Sequence, residues 1–468
     1  MEHPEWALKF KTKNTELRLI RGRYYLYNIT SKWDPEKKRT KKVTLGAVGT
    51  ITEEHGLIPT GMSKKGRPSK GVSPFKYSQE ETGFLDSFGA IEDPRSTRKK
   101  LYNINEILLL TLCSVLCGAD GWHDIEDYGK AKINFLRQYF DYENGIPSDD
   151  TIRRFYRSIN PSEFEKFFRE WVKGIAAATQ TTVVSIDAPA HDKKTEISAK
   201  EDSVIAIDGK CSRRSYDGEG NMLHMVSAFA TEARIVLGQE KVSDKSNEIT
   251  AIPKLLIWLD IKGHIITIDA MGCQYAIADL ILKKEGDYIF SLKGNQGSLS
   301  ENVKLYFEDP NLIKPCSYVD YDKGHGRIET RECQVVTDIK WLNELHPKWS
   351  TIKSIILVRS TREIKENITT ENRYYISSLT LSPERILKAI RSHWAIENSL
   401  HWVLDMSFNE DYSRIRKENA PHVMAIFRHV AMNLLQAAKK ERQSIKGLRK
   451  LCGWDDSSLE NVISKSSS

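Results

Sequence analysis

Two aspartates directly follow apolar runs in the middle of the chain. Residues 204–207 lead into Asp208 in the stretch SVIAIDGK, and the similar stretch HIITIDA places Asp269 after its own apolar run. One strand-end aspartate is a common turn residue, but two in this order favour a shared role. Carboxylates held close together repel each other unless a cation lies between them. Oxygen ligands of this kind suit Mg²⁺ or Mn²⁺, so the pair suggests a divalent metal site.

The order of the elements around these acids predicts that the two acids meet. The stretches SVIAIDGK, MLHMVSAFA and RIVLGQEKV have the pattern of an antiparallel meander of three strands. A helix (EITAIPKLLIWLD), a strand (HIITIDA), a helix (GCQYAIADLILKKE) and a strand (DYIFSLKG) follow. After a right-handed crossover the first and fourth strands can be parallel neighbours, with their carboxyl ends at one edge. We therefore expect Asp208 and Asp269 to lie side by side.

A third acid, Glu397, lies in the middle of a helix predicted over residues 382–408. The stretch SPERILKAIRSH begins this helix with a serine cap and a proline. His393 and His401 lie four residues to either side of Glu397, on the same face of the helix. Glu397 is therefore a candidate third metal ligand. A zinc site formed by the two histidines is an alternative, although their spacing is not that of the H-E-x-x-H motif.

The first hundred residues carry an excess of positive charge. The chain has a net charge of +7, and residues 1–100 hold 21 Lys and Arg against 12 Asp and Glu, so the remainder sums to −2. Residues 17–51 alternate around WDPEKK, which predicts a basic hairpin in a β-rich module at 1–59. The basic linker at 60–80 contains KKGRP, where Arg67 could enter an A·T minor groove. A polyanion partner and a solvated charged face both remain open.

Residues 81–180 are predicted to be helical. The stretch LYNINEILLLTLCSVLCGA has the composition of a buried helix. The stretch GIPSDDTIRRFYRSINPSEFEKFFREWV predicts a short basic helix, a break and a second helix. Arg153, Arg154 and Arg157 fall on the exposed side of the short helix. The arrangement fits either helix-turn-helix-like contact with DNA or an ordinary helical hairpin.

The bulk properties favour a cytoplasmic globular protein. No apolar run reaches the roughly 18 to 20 residues of a membrane helix, and the first residues lack the apolar segment of a secretory signal. The seven cysteines do not form paired C-x-x-C motifs. Reduced, buried thiols are therefore expected rather than a disulfide framework, and no membrane partner is expected.

A series of longer motifs resembles one known protein family. The motifs IAIDGK, ITIDAMGCQ, SLKGNQ, HGRIETR, YYISSL and HWAIENSLHWVLDMSFNEDYSRIR occur in this order. They resemble the successive motifs of the insertion-sequence transposases that include the H-repeat-associated proteins of Rhs elements. The resemblance runs over residues 84–436. Residues 1–75 fall outside it and look like an added module.

The resemblance implies an α/β fold with an RNase H-like mixed sheet, flanked by helices and interrupted by a β-rich insertion at about 296–380. It implies an Asp-Asp-Glu triad that falls on Asp208, Asp269 and Glu397. After the N-terminal module and linker, the expected domains are a helical domain at 81–180, a catalytic domain at 203–440 and a C-terminal tail at 441–468.

Three further acids in the same family block leave the third ligand open. Asp405, Glu410 and Asp411 follow Glu397, and any of them could aid or replace it. In the wider group of related transposases a Tyr-Arg-Glu-Lys signature surrounds the glutamate. Here His393 stands at the position of its arginine and Leu404 at that of its lysine. Details of that group, including a hairpin intermediate, are therefore not carried over.

The expected chemistry is phosphoryl transfer on the ends of double-stranded DNA, with Mg²⁺ or Mn²⁺ held by the triad. Trp394 or Trp402 could stack an unpaired base, with core packing as the alternative for Trp394, and His401 could contact DNA or a metal ligand. The polar residues expected to position phosphate near the triad are Lys210, Arg213, Arg214, Lys293, Asn295, His325, Arg327 and His393. Because two ends must be joined, a homodimer is expected.

Three functions are compatible with the sequence. The first is an active transposase that binds terminal inverted repeats and catalyses strand cleavage and strand transfer. The second is a metal-dependent nuclease with the same core that does not integrate DNA. The third is a DNA-binding protein whose catalysis has decayed, which the complete triad disfavours. Inverted repeats bracketing the reading frame would favour the first.

Overall fold

The structure is a computed structural model, and two parts of the chain form separate compact units, Met1–Pro74 and Phe75–Ser468. The residues that the structure describes are 4–20, 23–34, 39–53, 56–59, 91–95, 100–178, 203–217, 219–243, 246–309, 316–324, 326–365 and 367–465. Arg67, the linker at 60–80 and His325 lie outside these residues, so the predictions made for them stay predictions.

The first unit contains a four-stranded antiparallel sheet in the order β1-β2-β3-β4. Its elements are α1 (Glu5–Leu8), β1 (Thr15–Ile20), β2 (Arg23–Asp34), β3 (Arg39–Thr52) and β4 (Gly56–Pro59). The predicted hairpin corresponds to β2 and β3, which pair from Tyr24 opposite Ile51 to Asp34 opposite Arg39. A small apolar core that includes Leu17 and Leu26 holds the sheet together.

Four helices come first among the described residues of the second unit. They are α2 (Ile104–Cys117), α3 (Trp122–Leu136), α4 (Asp149–Ser158) and α5 (Pro161–Ala178). The apolar helix α2 begins with a capping box, in which Asn103 accepts from the backbone N–H of Asn105 and Glu106 accepts from that of Asn103. In the described part of the chain no single helix is long and apolar enough to span a membrane, and α2 with α3 has that length and composition only as a pair bent by 98°.

A nine-stranded mixed sheet forms the centre of the second unit, in the order β10-β11-β12-β13-β9-β8-β5-β6-β7. Its first five strands are β5 (Val204–Cys211), β6 (His224–Ala230), β7 (Ile235–Lys241), β8 (Ile265–Ile268) and β9 (Asp287–Leu292). Helix α6 (Glu248–Trp258) precedes β8, and helix α7 (Tyr275–Lys283) connects β8 to β9. Strands β5, β8 and β9 are parallel neighbours, whereas β5, β6 and β7 form the predicted antiparallel meander.

The register between β5 and β8 brings the two aspartates to one edge of the sheet. Val204 pairs with Ile265 and Ile207 pairs with Ile268, so Asp208 and Asp269 come at the same level. Strand β5 continues past Asp208 to Cys211 along β6, so Asp208 lies within its strand and not at the strand end that the sequence predicts, whereas Asp269 follows β8. Residues 204–207 and 265–268 are buried and are β-branched or aliphatic, as parallel strands covered on both faces must be. Asp208 and Asp269 therefore extend from the rigid centre of the sheet, as the sequence predicts.

The segment expected to be a β-rich insertion extends the same sheet. It contains α8 (Ser298–Glu308), β10 (Cys316–Gly324), β11 (Arg327–Val336), α9 (Lys340–Leu345), β12 (Ser354–Ile364) and β13 (Asn367–Ser377). The four strands pair antiparallel in sequence order, and β13 joins the central sheet by pairing Tyr374 with Leu292 of β9. The outer ends of these strands project beyond the central sheet, because β13 pairs with β9 over only its last residues.

The helices after the sheet share one hydrophobic core with the helices before it. They are α10 (Pro383–Ala395), α11 (Trp402–Phe408), α12 (Ala420–Ala438), α13 (Ile445–Trp454) and α14 (Asp456–Ser464). Residues from both sets and from β6 meet in that core, including Leu109, Phe155, Phe229, Leu400 and Phe427. The helical region at 81–180 therefore packs with the catalytic region at 203–440 in one compact unit, and the domain bounds expected from the sequence stay predictions.

Most of the expected C-terminal tail at 441–468 is helical and packed. Ser444 and Asp455 accept hydrogen bonds from the backbone at the starts of α13 and α14. Leu448 of α13 and Leu459 of α14 are buried in the core that contains α2. Helical spacing of their apolar residues gives each short helix one buried face.

Candidate active site

A pocket of about 230 Å³ lies at the carboxyl edge of the parallel strands. It brings together the three acids that the sequence analysis singled out, Asp208, Asp269 and Glu397. The other residues that line it include Thr267, Ser291, Lys293, Glu371, Arg373, Tyr375, His393 and Trp394. Three acids from β5, the loop after β8 and the helical segment after α10 thus share one opening.

Asp208 is the most electrostatically strained of the three acids. Burial raises its pKa first, and the charges of Glu248, Asp269 and Glu397 raise it further, to about 7, against one backbone hydrogen bond that lowers it. Carboxylates in a low-dielectric setting favour the protonated form unless a cation compensates for the charge. The strand therefore holds a carboxyl group for which nearby positive charge is a strong stabiliser.

Asp269 is fixed by the loop that follows β8. Its Oδ1 accepts the backbone N–H groups of Met271 at 3.0 Å and Gly272 at 3.2 Å. Burial raises the pKa of Asp269 more than these hydrogen bonds lower it. Asn295, which was predicted to contact phosphate, instead donates its side-chain amide to the carbonyl oxygen of Ala270 at 2.7 Å. In this structure Asn295 thus supports the loop that carries Asp269.

Glu397 lies in a π-helical segment, Ile396–His401, between α10 and α11. The predicted helix is therefore continuous in space but not a regular α-helix at this point. One-turn π-helical segments occur mostly within α-helices and are frequent at functional sites, because they shift the side chains that follow. Ile396 and Leu400 are buried in the core and anchor the segment, whereas the Glu397 side chain lines the pocket.

The two histidines near Glu397 are mostly covered, and His393 lines the pocket. His393 Nδ1 lies 3.0 Å from the Thr267 hydroxyl, and burial lowers the pKa of His393 to about 4. His401 Nδ1 lies 3.6 Å from Asp208 Oδ2, and burial lowers the pKa of His401 to about 3. Both rings are therefore neutral near pH 7. The buried Nε2 of His401 has no hydrogen-bond partner.

The three acids have the oxygen donors that a hard divalent cation prefers, but their side chains do not converge on a common metal position in this structure. Among the described residues no three His, Cys, Asp or Glu side chains converge tightly enough to hold an ion, which also leaves the alternative zinc site of His393 and His401 without support. The donors are carboxylate oxygens in a partly open pocket, as Mg²⁺ and Mn²⁺ prefer. Mutual repulsion keeps uncompensated carboxylates apart, so closure around an ion requires side-chain rotation.

Lys210, two residues after Asp208, does not face the pocket. Its Nζ lies 2.7 Å from Asp405, 3.1 Å from Asp411 and 3.5 Å from Glu410. Burial opposes the charged ammonium, but these carboxylates outweigh that effect and raise the pKa of Lys210. Such surroundings do not support the prediction that Lys210 contacts phosphate. The same contacts assign a partner to Asp405, Glu410 and Asp411, since all three form ion pairs with Lys210.

Other predicted DNA contacts near the strand lie on the surface. The Arg213 side chain is 83% exposed and reaches Asp411 at 3.3 Å. Arg214 stacks on the Tyr412 ring, at 4.8 Å from its centroid. Trp402 is 59% exposed and does not line the pocket, whereas Trp394 is 40% exposed and does.

Of the arginines predicted on the short helix α4, Arg153 and Arg154 are exposed and Arg157 is half-buried, and all three are paired. Arg153 and Arg154 interact with Asp150 of the same helix, and Arg157 forms an ion pair with Glu418. The packed side of the helix is formed by Ile152, Phe155 and Tyr156, as expected. Arg157 thus links α4 to the segment before α12.

A larger groove of about 740 Å³ adjoins the pocket, and of its lining residues the sequence pointed only to Arg327 and Trp394. Its lining contains six arginines and three acids. The arginines are Arg234, Arg327, Arg331, Arg362, Arg373 and Arg391. Residues at even spacing along a strand lie on one face of the sheet. The two arginines of RIETR, Arg327 and Arg331, were therefore the sequence signal for this groove.

The groove and the pocket are continuous. Arg373, Trp394, Tyr375, Ile390 and Glu371 line both. The guanidinium of Arg373 lies 5.0 Å from the centroid of the Trp394 ring and also binds Glu371 at 2.9 Å. A basic and partly aromatic surface therefore leads directly to the three acids.

A mixed sheet with acids within or after adjoining parallel strands, and a third acid on a helix beyond a β-rich insertion, is the architecture of a DDE transposase. The chain belongs to this family. The family model described as "Transposase DDE domain" matches residues 199–434, and the model described as "DDE_Tnp_1-associated" matches residues 85–172.

Curated relatives carry the same family designation. The chain is 40% identical over 391 residues to "H repeat-associated putative transposase YhhI" of Escherichia coli (strain K12), covering 82% of this chain and 98% of the relative. It is 39% identical over 391 residues to "Putative transposase YncI" of Escherichia coli O157:H7, covering 82% and 95%. A 70-residue stretch is 53% identical to "Inactive transposase YbfQ" of strain K12, covering 15% and 83%.

Proposed function

We propose that this chain is a DNA transposase that binds terminal inverted repeats and catalyses metal-dependent strand cleavage and strand transfer through Asp208, Asp269 and Glu397. The observation that carries the proposal is the shared pocket of these three acids, two of them fixed by the β5–β8 register. Membership of the transposase family supports the same reading.

Asp208, Asp269 and Glu397 would hold Mg²⁺ or Mn²⁺ in this pocket. When bound, such ions activate the attacking oxygen and stabilise the leaving oxygen of phosphoryl transfer. The buried neutral ring of His401 restricts the Asp208 carboxylate on one side. Lys293, which lines the pocket and acts on Asp269, is placed to neutralise a phosphate oxygen.

The arginine groove supports double-stranded DNA as the partner. Six arginines against three acids leave the lining with a surplus of positive charge beside the pocket. Arginine presents paired donors that match phosphate oxygens, and phosphate contacts fix the register of a protein on DNA. Arg331, Arg362 and Arg373 already hold acidic partners, so phosphates would compete with Glu329 and Glu371 for the same donors.

A cleavage assay with the full chain tests the proposal. The substrate is end-labelled duplex DNA that carries the inverted repeats flanking the reading frame, with Mg²⁺. We expect cleavage and joined products for the natural chain, and losses of at least about 10³-fold for Asp208→Asn, Asp269→Asn and Glu397→Gln, since metal stabilisation is worth several kcal/mol. Asp260→Asn, at an exposed aspartate outside the pocket, is the matched control.

The alternative functions give different results in the same assay. Cleavage without joined products would indicate a nuclease that does not integrate. Binding without cleavage would indicate decayed catalysis, an outcome that the relative named as inactive makes worth testing. Cleavage that persists in all three carboxylate variants would overturn the proposal.

Because one reaction joins two DNA ends, we propose that the active complex is a homodimer. Mass measurements of the chain with and without end DNA test this proposal. A complex of two chains with two ends is expected, and a fully active complex containing one chain would contradict it.

A further inference from the structure

Burial alternates along residues 412–416, the segment that leads from the Lys210 cluster to α12. Ser413 and Ile415 are buried, and Ile415 lies in the core that the helices share. The alternate residues, which are exposed or half-buried, are Tyr412, Arg414 and Arg416. The segment is therefore anchored by every second residue and presents one tyrosine and two arginines on its outer side.

Two contacts between an arginine and a tyrosine ring join this segment to the loop after β5. The guanidinium of Arg214 lies 4.8 Å from the centroid of the Tyr412 ring. The guanidinium of Arg416 lies 4.1 Å from the centroid of the Tyr216 ring, and its Nε donates to the backbone carbonyl oxygen of Arg214 at 2.9 Å. A guanidinium that lies on a ring keeps N–H groups at its edge for other partners. Each segment thus holds an arginine of the other in place.

The surface that the two segments form carries positive charge that is largely uncompensated. We call it the arginine–tyrosine strip, and its residues are Arg213, Arg214, Tyr216, Tyr412, Arg414 and Arg416. Arg213 pairs with Asp411 at 3.3 Å. Among the residues that the structure describes, no ion pair involves the other three arginines of the strip. Asp217, the next acid along the loop, accepts backbone N–H groups of its own turn. An anion would therefore find donors on the strip without displacing a carboxylate.

The arginine groove differs from the strip, although both adjoin the three acids. The groove arginines that hold an acidic partner include Arg331, Arg362, Arg373 and Arg391. Within the described part of the chain, no residue of the strip lines the groove. The strip is tied to the active site through Asp411, which accepts Lys210 Nζ at 3.1 Å and the backbone N–H of Arg213 at 3.2 Å. The molecule thus has two separate arginine-rich surfaces beside one pocket.

We propose that the arginine–tyrosine strip binds the phosphate backbone of the target duplex during strand transfer, while the transposon end occupies the arginine groove. This inference rests on the proposed function. Strand transfer brings an end and a target to the same three acids, and the molecule has one basic surface for each. Guanidinium groups match phosphate oxygens, and phosphate contacts position a duplex without reading its bases. Such contacts suit a duplex that does not carry the inverted repeats.

The strip variant used as a test is Arg414→Gln with Arg416→Gln. Among the described residues Arg414 has no hydrogen bond or ion pair, so the single variant Arg414→Gln removes its charge without removing a contact of the fold. The matched control is Lys446→Gln with Lys450→Gln, which removes the same charge from the exposed side of α13.

Binding of two labelled duplexes to the full chain is the first measurement. One duplex carries the inverted repeat, and the other has an unrelated sequence and represents the target. Once the end duplex is bound, we expect the strip variant to bind the target duplex about 10-fold or more weakly than the natural chain and the control. The slope of log affinity against log salt concentration should fall by about 2, since about one unit is lost for each phosphate contact.

The joining reaction gives the second measurement, as the ratio of joined to cleaved ends with Mg²⁺. This ratio should fall by about 10-fold or more in the strip variant and by less in Arg414→Gln alone. Tyr412→Ala should also lower the ratio, because Arg214 loses the ring on which it lies, and Tyr412→Phe should restore it.

The outcomes separate this inference from the proposed function. If the strip variant binds the target duplex and joins ends as the control does, only this inference is overturned, provided that Asp208→Asn abolishes cleavage. Equal losses of end and target binding in the strip variant would also overturn it, because the strip would then not be a separate target site. If the natural chain binds neither duplex, the inference and the proposed function both fail.

Discussion

Asp208 and Lys210 lie two residues apart on β5, yet their surroundings are electrostatically opposite. Asp208 is buried beside other acids, and its pKa is raised to about 7. Lys210 is buried among three carboxylates from the segment after Glu397, and two of them lie within 3.1 Å. The charges that act on Asp208 are those of other acids, whereas Lys210 is a cation with three acidic partners.

Asp208 belongs to a site whose negative charge calls for a bound cation, whereas the charge of Lys210 is already compensated by its carboxylate partners. The Lys210 cluster ties β5 to α11 and to the turn before α12, and Glu410 continues the network to Arg428 at 3.5 Å. That network holds the strand of Asp208 against the helical segment of Glu397. Balanced charge thus supports the frame, and unbalanced charge marks the candidate active site.

The largest expected effect is on stability, from Lys210→Met. Removing one partner of a buried ion pair leaves uncompensated charge, so the free energy of unfolding should fall by about 3 to 5 kcal/mol. Urea unfolding measures the change. Lys254→Met is the control, because the Lys254 side chain is 54% exposed and lies 3.9 Å from Glu240. A loss of unfolding free energy for Lys210→Met no larger than that for Lys254→Met would contradict the compensating role given to Lys210.

The second prediction concerns the pH dependence of stability at Asp208, measured without divalent metal. Its folded pKa of about 7 lies above the unfolded value, so its contribution is present below about pH 4 and is lost as pH rises through 7. The free energy of unfolding of the natural chain, relative to Asp208→Asn, should fall by about 2 to 4 kcal/mol over that range.

Saturating Mn²⁺ should remove most of this pH dependence, because the cation compensates for the ionised carboxylate. The measurement is a series of urea titrations at fixed ionic strength. Equal slopes for the natural chain and Asp208→Asn would show that Asp208 is not strained by its neighbours.

The smallest expected effect is that of Asp405→Asn. The change should cost about 0.5 to 1.5 kcal/mol, because an amide oxygen can still accept from Lys210, which keeps Glu410 and Asp411. DNA cleavage should be retained, in contrast to Glu397→Gln. Loss of cleavage with normal stability would instead give Asp405 the role of the third acid.

Much of the sheet could be predicted from the sequence. The apolar runs before Asp208 and Asp269 and the order of elements predict parallel neighbours, and Ile207 does pair with Ile268. The reason is that strand period, turn residues and crossover handedness are local or nearly local rules. The helix of Glu397 was predicted in the same way, but its π-helical segment was not, since it depends on packing around Ile396 and Leu400.

The electrostatic partners could not be predicted in this way. The sequence around Lys210 does not tell whether it contacts phosphate or carboxylates that are distant along the chain. Only the fold brings Asp405 and Asp411 to it. The same holds for Glu248. The sequence indicates only that it begins a helix, and its position against Gly209 depends on the fold.

Local sequence was enough to predict the strands, their order along the chain and the acids within or after them, because alternation, apolar runs and caps act over a few residues. Only the tertiary structure decided which charges are compensated. Coulomb energies depend on distance and burial in space, so Asp208 and Lys210 acquire opposite roles although only Gly209 separates them.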